Sequence, residues 1–261
     1  MRSFVLLAIA AMLVGWQHTE ADQYSEYFKN IDSPRQGVYT PTWIIEPSNP
    51  KGAVILFAGG GGVLKITNDG IKRTGNFLIR SRKLFAKHGF VVAVVDKPTD
   101  QKDLRGFRVT EKYTLDIENV ISFLRKKYNF GVWLVGTSRG TIAATNIAAR
   151  LKESGPKGIV LTASVTLPSN RGGDSIRNTK LKGIEQAVLF VHHKKDACYV
   201  SPYKQIPKVM KKFKSAKKVE LLSFEGGYEK SKKECKAKTF HGFLGIEKEV
   251  VSAIANWITE N

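Results

Sequence analysis

FGVWLVGTSRGTIAATNIAARLKES, residues 130–154, changes character in its middle. Up to Val135 it is an unbroken apolar run, the pattern of a strand buried on both faces. From Thr141 onward, alanines and isoleucines recur at helical spacing. Between the two lies Gly136-Thr137-Ser138-Arg139-Gly140, which fits G-x-S-x-G in the strand–turn–helix setting that this motif requires. A turn that tight forces the serine into a strained backbone conformation. Residues two before and two after it must be tiny, or side chains would collide. The hydroxyl is then lifted out at the carboxyl end of the sheet. Nearby N–H groups at a helix N-terminus favour an oxyanion there. The competing reading is a serine that caps the helix, which has no need of glycine on both sides.

Outward from this stretch, strands and helices alternate. GVYTPTWIIEPSN (37–49) reads as an edge strand or hairpin with prolines near its ends. KGAVILFAGG, FVVAVVDKP, GIVLTAS, QAVLFVHH and VELLSF read as further strands. GNFLIRSRKLFAKHG (75–89) has helical spacing and stops at Gly89. EKYTLDIENVISFLRKKY (111–128) is an amphipathic helix, with Leu115, Val120, Ile121 and Leu124 available to one face. SPYKQIPKVMKKFK is a short basic helix, and LGIEKEVVSAIANWITE closes the chain as another. Apolar strands alternating with amphipathic helices predict a mostly parallel sheet covered on both faces. The polar segment from Pro168 to Lys182 reads as a surface loop or small lid.

The first 21 residues, MRSFVLLAIAAMLVGWQHTEA, stand apart. Arg2, an apolar core from Phe4 to Trp16, and small residues at Thr19 and Ala21 make a secretory signal cut after Ala21. The apolar core is too short for a membrane-spanning helix, which needs roughly 20 residues, so a soluble exported protein is expected rather than an integral membrane protein. Export makes Cys198 and Cys235 a disulfide pair. Closing a loop of that length stabilises by about 4 kcal/mol in the chain-entropy picture. Lys and Arg number 42 against 23 Asp and Glu, giving a net charge of +19. The excess is densest in KVMKKFKSAKK and EKSKKECKAK. Such clusters suit an anionic surface, lipid or glycan, or a negatively charged substrate; a merely solvated lysine face is the alternative. No nucleic acid is expected, because no helix-turn-helix, zinc finger or RNA-binding signature appears.

A serine hydroxyl needs a base to become a nucleophile. Of the five histidines, His18 leaves with the signal and His88 sits at a helix end beside Gly89, suited to capping carbonyls. His192 and His193 finish a strand, and one of them can pack in the core. His241, in TFHGFLG between the last strand and the last helix, remains as the candidate base. Its acid partner is Asp196, just past the QAVLFVHH strand; Asp174 and Glu225 are weaker competitors. Cys198 lies two residues after Asp196, and Cys235 six before His241, so a bridge would pin the acid loop to the base loop. For an oxyanion hole, the N–H of Arg139 is one donor and Gly60, in FAGGGGV, the other, with Gly61 next. Phosphate-loop and dinucleotide glycine patterns both fail in that stretch. Arg139 could steer an anionic substrate or form an ion pair with a neighbouring helix. No metal site is expected: on a strand the adjacent His192 and His193 face opposite ways.

With GTSRG, HHKKDAC, TFHGF and AGGGG in view, the chain resembles the α/β-hydrolase superfamily, and most of all its small dienelactone-hydrolase-like and serine-esterase-like members. The resemblance covers roughly residues 35–261. It implies a single α/β domain over 22–261 after the signal, a Ser138-His241-Asp196 triad, no cofactor, and a small-molecule ester substrate. Two features depart from the family pattern: Ala58-Gly59 stands where His-Gly is usual, and no long cap domain is present. The expected activity is an exported carboxylesterase, with thioester or amide cleavage as variants. The rival reading is a hydrolase-fold protein without turnover that binds anionic envelope lipid or polysaccharide.

Overall fold

The computed structural model describes residues 24–169 and 173–261; the expected export signal, residues 1–21, lies outside them. The chain begins with an antiparallel pair, β1 (Tyr24–Asp32) and β2 (Tyr39–Pro47). β3 (Gly52–Phe57) follows, then a small hairpin of β4 (Ile66–Thr67) and β5 (Gly70–Ile71). Next come α1 (Phe77–Arg80), α2 (Arg82–Lys87), β6 (Phe90–Val95) and α3 (Glu111–Tyr128). β7 (Val132–Thr137) leads into α4 (Gly140–Leu151), followed by β8 (Gly158–Thr162), β9 (Ala187–His193), α5 (Ile206–Met210), β10 (Val219–Phe224) and α6 (Glu247–Glu260). Eight of the described strands form one sheet in the order β1-β2-β6-β3-β7-β8-β9-β10. From β6 to β10 all neighbours run parallel; only β1 and β2 are antiparallel.

The central strands β3, β6, β7 and β8 are buried at every residue, which explains their unbroken apolar runs. Side chains alternate between two cores. Leu134 of β7 points with Ile117, Ile121 and Ile147 into the layer under α3 and α4. Trp133 and Val135 point with Phe85, Val251 and Ile254 into the layer under α2 and α6. Each such side chain contributes about 1.5–3 kcal/mol on burial. Trp133 also meets Trp257 of α6 edge-on, with ring centroids 5.4 Å apart.

Some elements differ from the sequence reading for identifiable reasons. β1 was not expected; it is a half-exposed edge strand, so its polar residues carry no apolar alternation. The predicted helix over 75–89 is two short helices, broken at Ser81, whose hydroxyl donates to Phe77 O at 2.7 Å. α3 has the expected bounds, with Thr110 capping its start and Asn129 in the left-handed region closing its end. Its buried face is rotated, however. Leu115 is 37% exposed, while Asp116 is buried and paired with Arg35 at 2.7 Å. The basic helix shortens to α5, preceded by one turn of tighter helix at Tyr203–Gln205. The described part of the 168–182 segment holds a short helical turn at Ile176–Asn178 and buries Ile176 and Leu181, so it packs on the core.

Candidate active site

Ser138 follows β7 directly and has φ +51, a region that non-glycine residues enter at a cost of about 1–3 kcal/mol. The turn is held from both sides. Ser138 N donates to Thr162 O at 2.9 Å, and Ser138 O accepts from Thr141 N at 3.0 Å and Thr141 Oγ1 at 2.6 Å. The flanking glycines are obligatory. A Cβ on Gly136 would lie 2.4 Å from Gly140 O, and one on Gly140 only 2.1 Å from Phe57 O. Ser138 does not cap α4: Arg139 occupies that position, and no side chain bonds the first N–H groups of the helix.

Ser138 opens onto a cavity of about 680 Å³, whose walls include Gly60, Gly61, Asn76 and His241. His241 sits in a helical turn over Phe240–Gly242, its N–H bound to Thr239 Oγ1 at 3.2 Å. Gly242 must be glycine, since a Cβ there would lie 2.0 Å from Ala237 O. The imidazole Nδ1 meets Asp196 Oδ2 at 2.9 Å, while Nε2 is buried with no partner. Ser138 and His241 are thus brought to one cavity but are not joined by a hydrogen bond among the described residues. Such bonds commonly tighten only when substrate is in place.

Asp196 is the anchor of this arrangement. Its Oδ1 accepts from Cys198 N at 2.9 Å, and its Oδ2 from Ser201 Oγ at 3.2 Å. His192 Nε2 lies 3.2 Å from the same Oδ2 and 2.8 Å from Ser201 O. Burial pushes the Asp196 carboxyl up, but hydrogen bonds from His192 and His241 and the attraction of both rings outweigh it. The carboxyl is held well below the ordinary carboxylate range. With Asp196 ionised, we assign the His241 proton to Nδ1, which leaves a lone pair on the unpartnered Nε2. Glu225, the competing acid, instead pairs with Lys194 at 3.2 Å. Among the described residues, His241 has its hydrogen bond and ion pair with Asp196, and none with Asp174. The Cys198–Cys235 disulfide forms, with Cα atoms 4.6 Å apart, and Cys235 borders the cavity.

His193 and His88 are held by other partners. His193 accepts from Lys195 N at 3.1 Å, meets Gly226 O at 2.9 Å and stacks on Phe240 at 4.6 Å. His88 caps α2 as expected, its backbone N–H donating to Leu84 O at 3.2 Å and Phe85 O at 3.1 Å, while its side chain reaches Ser252 Oγ at 3.1 Å across to α6.

The N–H groups of Gly60, Gly61 and Arg139 carry no hydrogen bond among the described residues, so all three expected donors are free. Gly59 is the glycine pressed against the serine, for a Cβ there would lie 3.0 Å from Ser138 Cβ. Beneath this loop lies Arg108, unforeseen from the sequence. It is buried, donates to Ala58 O and Leu104 O at 3.3 Å each, and has an Nη2 2.8 Å from where a Gly62 Cβ would be. Burial pushes its guanidinium down to about 10, which leaves it charged at neutral pH. Asn76 was also missed; its Oδ1 caps α1 while its amide nitrogen lies 3.5 Å from a Gly59 Cβ. Of the two roles considered for Arg139, the ion pair with a neighbouring helix does not form among the described residues; its guanidinium turns to Ser169 Oγ at 3.0 Å. The cations on the cavity wall are Arg73, Lys102, Arg105 and Lys236, of which Arg105 is bound by Asp103 at 2.5 Å.

No family model and no curated protein matches this chain. Solved structures do. The chain is similar to the esterase Pf2001 of Pyrococcus furiosus, at 14% identity over 92% of both chains, with a TM-score of 0.66. It is similar to a dienelactone hydrolase from Anabaena variabilis, at 13% identity over 91% of this chain and 98% of that one, with a TM-score of 0.61. Est1E from Butyrivibrio proteoclasticus, solved with ferulic acid, matches at 15% identity over 89% of this chain and 98% of that one, with a TM-score of 0.60. Its parallel sheet with helices on both faces, and the strand–turn–helix at Ser138, are accounted for together: this chain has the α/β-hydrolase fold.

Proposed function

We propose that this protein is an exported serine hydrolase that cleaves a carboxylic ester through an acyl-enzyme. The observation that carries the reading is the orientation of His241. Its Nδ1 is fixed on Asp196, its Nε2 is buried and unpartnered, and the residue borders the cavity that Ser138 opens onto. A general base for Ser138 needs that arrangement. Ser138 Oγ attacks the ester carbonyl carbon as Nε2 takes its proton. The carbonyl oxygen becomes an oxyanion, held by the N–H groups of Arg139 and Gly60, with Gly61 beside them. The charged Arg108 under the loop favours the same negative charge. His241 then protonates the departing alcohol, leaving an acyl group on Ser138. Water, deprotonated by Nε2, attacks that acyl group, and the acid leaves as Ser138 recovers its proton. Thioesters and amides would follow the same path. Esterases and dienelactone hydrolases among the structural neighbours agree with this chemistry. A disulfide suits an oxidising compartment, and no described helix is long and apolar enough to cross a membrane.

A fluorophosphonate probe tests the proposal. Prompt labelling of the purified protein, abolished in Ser138→Ala and in His241→Ala, is the expected result. Labelling that persists in Ser138→Ala would overturn the choice of nucleophile, and no labelling alongside no turnover of short-chain esters would overturn the enzyme and leave the non-catalytic binding reading.

A further inference from the structure

Two segments distant in sequence meet near the amino ends of β9 and β10. One precedes β9 and holds Arg177, Lys180 and Lys182; the other follows α5 and holds Lys211, Lys212 and Lys214. Ser215 Oγ donates to Lys182 O at 2.8 Å and knits the two together. Ile176, Leu181 and Phe213 are buried beneath, so both walls rest on the core. Between them runs a groove of about 390 Å³. Six of its eight lining residues are those cations, and none is acidic.

None of the six side chains makes an ion pair or hydrogen bond among the described residues. Unpaired lysines are common on this surface, although Lys127 pairs with Glu46 at 2.7 Å and Lys218 with Glu220 at 3.3 Å; what sets these six cations apart is that they share one concavity. Gathering six unpaired cations around one concavity opposes folding by self-repulsion, and a polyanion seated there removes that repulsion.

The surroundings narrow the class of polyanion. Base stacking on aromatic rings is what proteins use to hold single-stranded nucleic acid, and no aromatic side chain lines the groove. Among the described residues the large exposed apolar side chains are Tyr39, Leu115, Tyr199 and Tyr228, none of them in the groove, so no described side chain there inserts into a lipid layer. A concave floor also keeps a flat bilayer from reaching all six charges at once. A narrow flexible chain with regularly repeated negative groups does reach them. We propose that this groove binds an anionic polysaccharide, sulfated or carboxylated, as a site separate from the Ser138 cavity. The groove shares no lining residue with the Ser138 cavity, so this inference does not rest on the esterase reading.

Calorimetric titration of the full protein with dextran sulfate, with neutral dextran as control, tests it. Two triple variants carry the same change in net charge: Lys182→Gln/Lys211→Gln/Lys214→Gln in the groove, and Lys230→Gln/Lys232→Gln/Lys233→Gln in the other basic cluster. The groove variant is expected to weaken binding by about tenfold or more, a few-fold for each exposed pair lost, and the control by about twofold or less. Neutral dextran is expected not to bind, and both variants to melt with the parent protein. Equal losses in the two variants would overturn the assignment, because binding would then follow net charge alone. Groove-dependent binding of a single-stranded oligonucleotide or of phosphatidylglycerol vesicles that exceeds that of dextran sulfate would overturn the polysaccharide class.

Discussion

Cutting the Cys198–Cys235 bridge would test whether the acid and base loops move as one unit. The cysteines are 37 positions apart, and freeing a loop of that size removes about 4 kcal/mol of stabilisation in the chain-entropy picture. In a chain of this length that corresponds to a fall of roughly 8–16 °C in melting temperature. The effect on the site follows from the bonds around the bridge. Cys198 N holds Asp196 Oδ1 at 2.9 Å. On the other side, the carbonyls of Glu234 and Lys236, which flank Cys235, accept from Thr239 Oγ1 at 2.9 and 2.8 Å. Thr239 Oγ1 in turn accepts from His241 N. Few bonds therefore separate the sulfurs from either catalytic candidate. A displacement of about 1 Å at reacting groups costs on the order of a hundredfold in rate. Cys198→Ser/Cys235→Ser is expected to show both losses, by scanning calorimetry and by kcat/KM on p-nitrophenyl acetate well below its new midpoint. A variant that melts lower but keeps full kcat/KM would refute the mechanical coupling. One that melts with the parent would refute the loop estimate.

Other outcomes follow from the same geometry. The folded pKa of Asp196 is depressed, so its stabilisation is present above about pH 4 and is lost as pH falls further. Asp196→Asn should therefore shrink the difference in urea midpoint between pH 5 and pH 3, and lower kcat on the order of 10⁴-fold; an unchanged acid limb would count against the bond to His241. Gly140→Ala places a methyl 2.1 Å from Phe57 O, and should destabilise by at least about 1–3 kcal/mol while blocking fluorophosphonate labelling. Full labelling would show that the turn tolerates a side chain. With Arg73, Lys102 and Lys236 on the cavity wall, a hemisuccinate ester should outpace the matching butyrate at low salt, and Lys236→Gln should narrow that gap by a few-fold. Identical salt dependence for the two esters would argue against a role for these cations.

The local patterns were legible. Gly136 and Gly140 bracket Ser138 because backbone atoms leave no room for anything else, and that requirement is written in five letters. The bounds of α3 are marked by Thr110 and Asn129 at its ends. What escaped the sequence is what depends on partners far along the chain. Asp116 is buried only because Arg35 reaches it, and this turns Leu115 outward. Ser201 and His192 serve Asp196 through contacts that neither residue advertises. Arg108, buried with no carboxylate against it, contradicts the ordinary rule for arginine, so composition alone would leave it on the surface. β1 escaped because an edge strand wet on much of its surface needs no apolar alternation.

Asp196 is surrounded on all sides by hydrogen donors: a peptide N–H, a hydroxyl and two ring nitrogens. A carboxylate so thoroughly supplied has little affinity left for one more hydrogen ion. In the proposed mechanism, a proton taken up by the imidazole of His241 is therefore returned on the cavity side and not passed to the carboxylate. On that proposal the buried acid is a fixed negative wall behind the ring, steering the traffic without joining it.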